Sequence, residues 1–134
     1  MPTPSPSAGV VLFAKDIKRV AKFYEILLDL NVVHAAADHI VLESSSAALV
    51  IHGIPAKIAA GISIKTPPQV REETAIKPFF MIPSLAAARG IAESLGGKIA
   101  PATRQWSARG FTACDGHDPE GNVIQLRQTM DHAA

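Results

Sequence analysis

Apolar and polar positions along the chain fall into two recurring patterns. Val10-Val11-Leu12-Phe13 is a short continuous apolar run of the kind that forms a buried strand. Asp16 follows as a helix N-cap. From Ile17 the apolar residues fall at Val20, Ala21, Phe23, Tyr24, Leu27 and Leu28, with Lys18, Arg19, Lys22, Glu25 and Asp29 largely between them. That i, i+3, i+4, i+7 spacing predicts an amphipathic helix. Val32-Val33-His34, His39–Glu43 and Ala48–His52 read as strands, with turns offered by Ala37-Asp38 and Ser44-Ser45-Ser46.

The same order returns further along. Phe79-Phe80-Met81-Ile82 is a second apolar run, and Ser84 is a second N-cap. Leu85, Ala88, Ile91, Ala92 and Leu95 form a helical stripe that stops at Gly96-Gly97. Lys98-Ile99-Ala100 starts a strand that Pro101 interrupts, Phe111–Cys114 is the next strand, and Asp118-Pro119-Glu120-Gly121-Asn122 is a dense turn signal. Val123–Arg127 closes the set. Laying Asp16 on Ser84, an offset of 68 residues, brings Phe13 onto Met81, Val20 onto Ala88, Phe23 onto Ile91 and Leu27 onto Leu95. The reading is a duplication of one strand–helix–strand–strand–strand unit. It divides the chain into a Pro/Ser tail (1–8), module one (9–53), a connection (54–76), module two (77–128) and a short tail (129–134), with one short strand expected in the connection at Ile62–Ile64. The connection is long, and Pro67-Pro68 with Arg71-Glu72-Glu73 put its second half at the surface.

A four-stranded βαβββ unit has one sheet face covered by its helix and one face open. Two such units can curl their sheets around a shared interior, so the expected fold class is α+β: two βαβββ modules forming a half-open barrel, with a ligand cleft inside. Three stretches carry a resemblance to a known family. Val11–Asp16 with Phe23-Tyr24-Glu25 and Leu28-Asp29-Leu30 resembles the opening strand and helix of the glyoxalase/bleomycin-resistance/dioxygenase (vicinal oxygen chelate) superfamily. Ala86–Arg89 through Leu95-Gly96-Gly97 resembles its second helix and diglycine stop, and Asp118–Leu126 resembles its closing turn and strand. The resemblance implies that fold, usually in dimers, and a function somewhere between lyases, dioxygenases and antibiotic-sequestering proteins.

Enzymes of that superfamily often hold a divalent metal with His, Glu or Gln, one from each of four strands. The resemblance places those positions at Gly9, Lys77, Gln125 and, by matching the two closing strands, Val50; a two-residue slip would put His52 there instead. Glycine has no donor and an ammonium has only donors, so the expectation is no cofactor at the usual site, a divalent metal being the minority alternative. Of the other histidines, His34 and His39 flank one turn and read as surface residues. His117 reads as a cap on the closing turn, and His132 as part of the tail.

Strand parity then supplies candidate ligand-binding residues. Lys77 and Phe79 share one face with Met81, Gln125 and Arg127 share another, and so do Val50 and His52. If these point inward, His52, Lys77, Gln125 and Arg127 form a cationic set over an apolar floor, suited to a carboxylate or other anionic oxygen group. For Lys77 and Arg127 the alternative is a strand end in water. Trp106, the only tryptophan, falls between Arg104 and Arg109 and can stack on a flat ligand, close the core or meet a second copy. Cys114 reads as a small core residue.

Composition narrows the rest. The 134 residues are 48% hydrophobic with a formal net charge of +1, so the chain can build a core but shows no basic face for nucleic acid. With 5% aromatics a stacked-base sheet is excluded too. One cysteine excludes an intramolecular disulfide. No apolar run approaches the ~18 residues of a membrane span, and the start lacks a secretory pattern, so a cytoplasmic protein is expected; that it is a homodimer is what the family resemblance implies. Three functions remain: a small-molecule-binding protein taking an anionic or aromatic ligand, a lyase, isomerase or dioxygenase using displaced ligands such as His52 and Gln125, and a non-catalytic partner-binding module.

Overall fold

The computed structural model describes residues 6–130. It divides into a first unit ending at Ile64 and a second beginning at Lys65. Both are α+β, each with one small sheet and one principal helix.

In the first unit β1 (Gly9–Ala14) leads to α1 (Ile17–Leu27), followed by β2 (Asn31–Ala35), β3 (His39–Glu43) and β4 (Ala48–Gly53). The sheet order is β1-β4-β3-β2, with β1 parallel to β4 and the other pairs antiparallel. The Asp16 side chain accepts a hydrogen bond from Arg19 N at 3.1 Å, satisfying one of the helix's otherwise unpaired N–H groups. The stripe Val20, Ala21, Phe23, Tyr24 and Leu27 is buried against the sheet, where it meets Leu42, Leu49 and Ile51. Alternation sends the neighbours of those strand residues to the other face. Val11 and Phe13 therefore stay half exposed on the side away from α1, together with Val50 and His52.

The connection does not contain the expected strand at Ile62–Ile64. A one-turn helix, α2 (Ala56–Ala59), stands before it instead, and the Lys15 ammonium donates to the Ile62 carbonyl. Among the described residues no strand pairs with Ile62-Ser63-Ile64, and β-propensity alone does not make a strand without a ladder partner.

The second unit repeats the order with one addition: β5 (Phe79–Met81), α3 (Leu85–Ser94), β6 (Lys98–Ile99), β7 (Trp106–Ala108), β8 (Phe111–His117) and β9 (Val123–Thr129). Its sheet runs β5-β9-β8-β6, with β7 also on β8. β6 and β7 are one strand position cut in two: β6 pairs with the end of β8, β7 with its beginning, and Pro101 opens a single 3-10 turn over Ala102–Arg104 between them. Ser84 caps α3 through Ala87 N at 3.1 Å, and Gln128 reaches across to accept from Leu85 N at 2.7 Å. Leu85, Ala88 and Ala92 are buried, and their size lets α3 lie close to β9 and β6.

β8 runs three residues past the expected end at Cys114, so Asp115-Gly116-His117 is also strand. Cys114 is a fully buried core residue, as expected; its Sγ lies 3.3 Å from the Ala100 carbonyl. The closing turn is built on Asp118, which is fully buried and accepts from Glu120 N (2.8 Å), Asn122 N (3.1 Å) and Asn122 Nδ2 (2.9 Å). Gly121 takes φ +83°, and a Cβ there would lie 2.1 Å from the Gln69 carbonyl oxygen. The second half of the connection is thus held against the turn by Arg71, which donates from N to Gly121 O (2.9 Å) and from Nε to Glu120 O (3.3 Å). Pro68 is buried, although its neighbours are exposed.

Candidate functional site

The face of the second sheet away from α3 carries five of the six candidate ligand-binding residues. Phe79 is opposite Gln125, and Met81 is opposite Arg127. On the next strand Asp115 faces Gln125 and Ala113 faces Arg127. These neighbours form a hydrogen-bonded series across the sheet. Lys77 Nζ donates to Asp115 Oδ2 at 2.8 Å, Gln125 Nε2 donates to Asp115 Oδ1 at 3.2 Å, and Arg127 Nε donates to Gln125 Oε1 at 2.7 Å. The acceptor-only carboxylate and the donor-only guanidinium fix the orientation of the Gln125 amide between them. Gln125 is itself buried.

Arg127 ends the series between two rings. Its guanidinium carbon lies 3.7 Å from the Phe79 centroid and 4.2 Å from that of Phe111. Both are cation–π distances. Trp106 stands edge-on to Phe111 at 5.6 Å and is half exposed, so it joins this aromatic group. Phe79 and Met81 are each 51% exposed, large apolar surface for a position inside a sheet. Arg127 uses one of its five N–H donors on Gln125. Among the described residues the other four have no protein acceptor.

Beside this face lies a cavity of about 620 Å³, whose lining includes Lys77, Lys98, Arg104, Glu72, Asp115 and His117. Lys77 is the only candidate residue that lines it. The Lys77–Asp115 pair is about two-fifths exposed on both sides and so adds little stability. Among the described residues Lys98 and Arg104 are in no ion pair. His117 Nδ1 donates to the Asp118 carbonyl at 3.0 Å, which is the expected turn-capping role, yet the same ring lines the cavity. Sequence reasoning missed Lys98 and Asp115. Their signal was parity: Asp115 is on the same face of β8 as Ala113 and Phe111.

His52, the sixth candidate, lies in the first unit. It faces His39 across β3 and β4, with the two rings stacked at 5.8 Å and 10° apart. His39 is therefore half buried and partnered, not the plain surface residue expected from its place beside a turn. His34 is exposed as expected, its ring 5.1 Å from that of His39. Asp38 Oδ1 lies 2.7 Å from His39 Nδ1, and that hydrogen bond is the main cause holding the Asp38 carboxyl below its ordinary range. The nearby charges of His39 and His52 act in the same direction. The missed signal was the hairpin: counting out from the Ser44–Ala47 turn, His39 and His52 are the fifth facing pair. His132 lies outside the described residues.

No family model and no curated protein matches the chain. Solved structures do. A glyoxalase/bleomycin resistance protein/dioxygenase family enzyme from Burkholderia phytofirmans PsJN superposes with a TM-score of 0.67 at 14% identity, covering 91% of this chain and 97% of that one. The bleomycin resistance determinant encoded on transposon Tn5 gives 0.56 at 21% identity, with 93% and 98% covered. The genomically encoded fosfomycin resistance protein of Listeria monocytogenes gives 0.63 at 13% identity, with 100% and 97% covered. The chain has the vicinal-oxygen-chelate fold.

The metal that enzymes with the vicinal-oxygen-chelate fold often hold does not fit the usual positions here. A Cβ at Gly9 would lie 2.8 Å from the Ala48 carbonyl oxygen, so the strand pairing itself leaves no room for a ligating side chain. Lys77 brings a cation. The Gln125 carbonyl oxygen is engaged by Arg127. The register leaves no slip: Val11 pairs with Val50 as Phe79 pairs with Gln125, so the fourth position is Val50 and not His52.

Proposed function

We propose that the protein binds a small organic anion with a flat apolar body on the open face of its second sheet. The observation that carries this reading is the series Lys77–Asp115–Gln125–Arg127, which ends with the guanidinium held over Phe79 and Phe111. A guanidinium fixed through Nε and stacked on rings presents its remaining N–H groups as a fork, the geometry that pairs with a carboxylate or phosphonate. Phe79, Met81 and Trp106 offer exposed apolar area for the body of the ligand. Lys98 and Arg104 add positive charge at the cavity beside it.

Two of the neighbours are resistance proteins, one toward bleomycin and one toward fosfomycin, which supports a small-molecule ligand. The misfit at the usual metal positions supports binding without the metal-assisted chemistry of the fold's enzymes. We extend the reading to a homodimer: Val11 and Phe13 in one unit and Phe79 and Met81 in the other are half-exposed apolar residues that a second copy or a ligand would cover. Sedimentation velocity reads the oligomeric state directly.

The test is a thermal-shift panel of aromatic carboxylates, phosphonates and anionic antibiotics against their neutral analogues. A ligand that binds only the folded state raises the melting temperature in proportion to ln(1 + [L]/Kd). The reading expects shifts from anionic aromatic members and none from the neutral ones. A flat panel would sink it.

A further inference from the structure

One row of rings crosses the first sheet on the face away from α1: His34, His39, His52 and Phe13, successive centroids 5.1, 5.8 and 5.6 Å apart. We infer that His39 and His52, with Asp38 holding the far N–H of His39, bind a divalent transition ion of the borderline class, such as Zn²⁺, Co²⁺, Ni²⁺ or Cu²⁺. This site is built from residues of the first unit alone, and the inference does not rest on the anion reading above.

The argument starts from protons. His52 Nδ1 lies 2.9 Å from the Gly53 carbonyl oxygen, which can only accept, so Nδ1 carries the hydrogen. In the neutral ring the lone pair is then on Nε2. His39 Nδ1 lies 2.7 Å from Asp38 Oδ1, and an ionised carboxylate oxygen only accepts, so Nδ1 carries the hydrogen here too. His39 is thereby left with its lone pair on Nε2 as well. An imidazole whose far N–H is held by a carboxylate or a backbone carbonyl is the usual supporting arrangement of a metal-binding histidine, fixing both tautomer and ring direction. Here two adjacent rings have it, one of each kind.

The spacing agrees. One donor atom from each of Asp38, His39 and His52 lies within 4.8 Å of the others. Zn–N bonds of about 2.0–2.1 Å need the two ring nitrogens no more than roughly 4.2 Å apart, so a modest side-chain adjustment brings His39 and His52 onto one ion. Two imidazole nitrogens select borderline ions over Mg²⁺ and Ca²⁺, which prefer all-oxygen shells. Asp38 is exposed and the two histidines are partly so, which leaves coordination positions for water or a ligand oxygen.

The experiment uses the full chain, stripped with EDTA and titrated with ZnCl₂ by calorimetry and with CoCl₂ by visible absorption. The expected result is one ion per chain, no heat from MgCl₂, and binding about tenfold or more weaker in His39→Gln and in His52→Gln. His132→Gln should bind as the parent does. In the unmutated chain, ¹⁵N spectra should show Zn²⁺ moving the Nε2 resonances of His39 and His52, a readout that does not depend on any variant folding. No saturable Zn²⁺ binding, binding untouched by both substitutions, or Nε2 shifts confined to other histidines would each overturn the inference.

Discussion

His52 and Arg127 hold the same place in the two sheets. His52 faces Phe13, three residues before the helix cap Asp16, and Arg127 faces Met81, three residues before the cap Ser84. One position therefore presents an imidazole stacked on His39 in the first unit and a guanidinium over Phe79 in the second. The repeated backbone is kept while the chemistry divides: nitrogen lone pairs on one sheet, N–H donors on the other.

The Arg127 contact predicts that Lys is not a substitute for it. An ammonium loses the planar fork and most of the stacking on two rings. Arg127→Lys should weaken binding of an aromatic carboxylate about tenfold, roughly 1.4 kcal/mol, with little change in melting temperature because the side chain is only partly buried. Calorimetry on parent and variant checks it.

The closing turn should be the most sensitive spot in the second unit. Asp118→Ala leaves three N–H donors without their acceptor in a buried turn and should cost about 2–4 kcal/mol. Gly121→Ala meets both a positive φ and the Gln69 carbonyl, and should cost about 2 kcal/mol or more. Urea denaturation gives both values; Asp118→Asn, which keeps an acceptor, should lose less.

Much of this was legible in the residues. The two caps, the two apolar stripes and the closing turn are local signals, and each sits where its pattern put it because side-chain alternation and helical spacing act over a few residues. The 68-residue offset put Phe13 and Met81 at matching places in β1 and β5, while the register of β4 against β1 stayed open by two residues. What was not legible is non-local. Ile62–Ile64 has strand-like residues but pairs with neither edge strand of the first sheet. The His39–His52 stack depends on a hairpin register, and the Asp115 link depends on β8 continuing past Cys114. Which face of Arg127 meets Phe79 and Phe111 is decided only by tertiary packing.

The usual metal positions should stay silent even when improved one at a time. Gln125→Glu offers a better ligand but sets a second carboxylate beside Asp115, an arrangement of like charges that disfavours ionisation of both. It should lower stability by about 1 kcal/mol and add no metal equivalent beyond that of the parent, read by elemental analysis after loading. A gained equivalent would reopen those positions.

Asp38 predicts an acid-side effect. Its folded pKa is lowered chiefly by the His39 hydrogen bond. That contribution is present above the ordinary carboxylate value of about 3.9 and is lost as pH falls through the lower folded value. Being fully solvent-exposed, it should also shrink with salt. In a ¹³C titration of the Asp38 carboxyl, His39→Gln should move the midpoint upward; an unchanged midpoint would contradict the assigned cause.

The central claim is that Arg127 and its rings form an anion-binding face. The most direct measurement follows the Arg127 Nε–H and Trp106 Nε1–H resonances while benzoate, naphthoate and their neutral amides are titrated into the full chain. The account predicts saturable shifts of both resonances with the carboxylates and none with the amides. Carboxylates that leave Arg127 unmoved, or amides that move it equally, would contradict it.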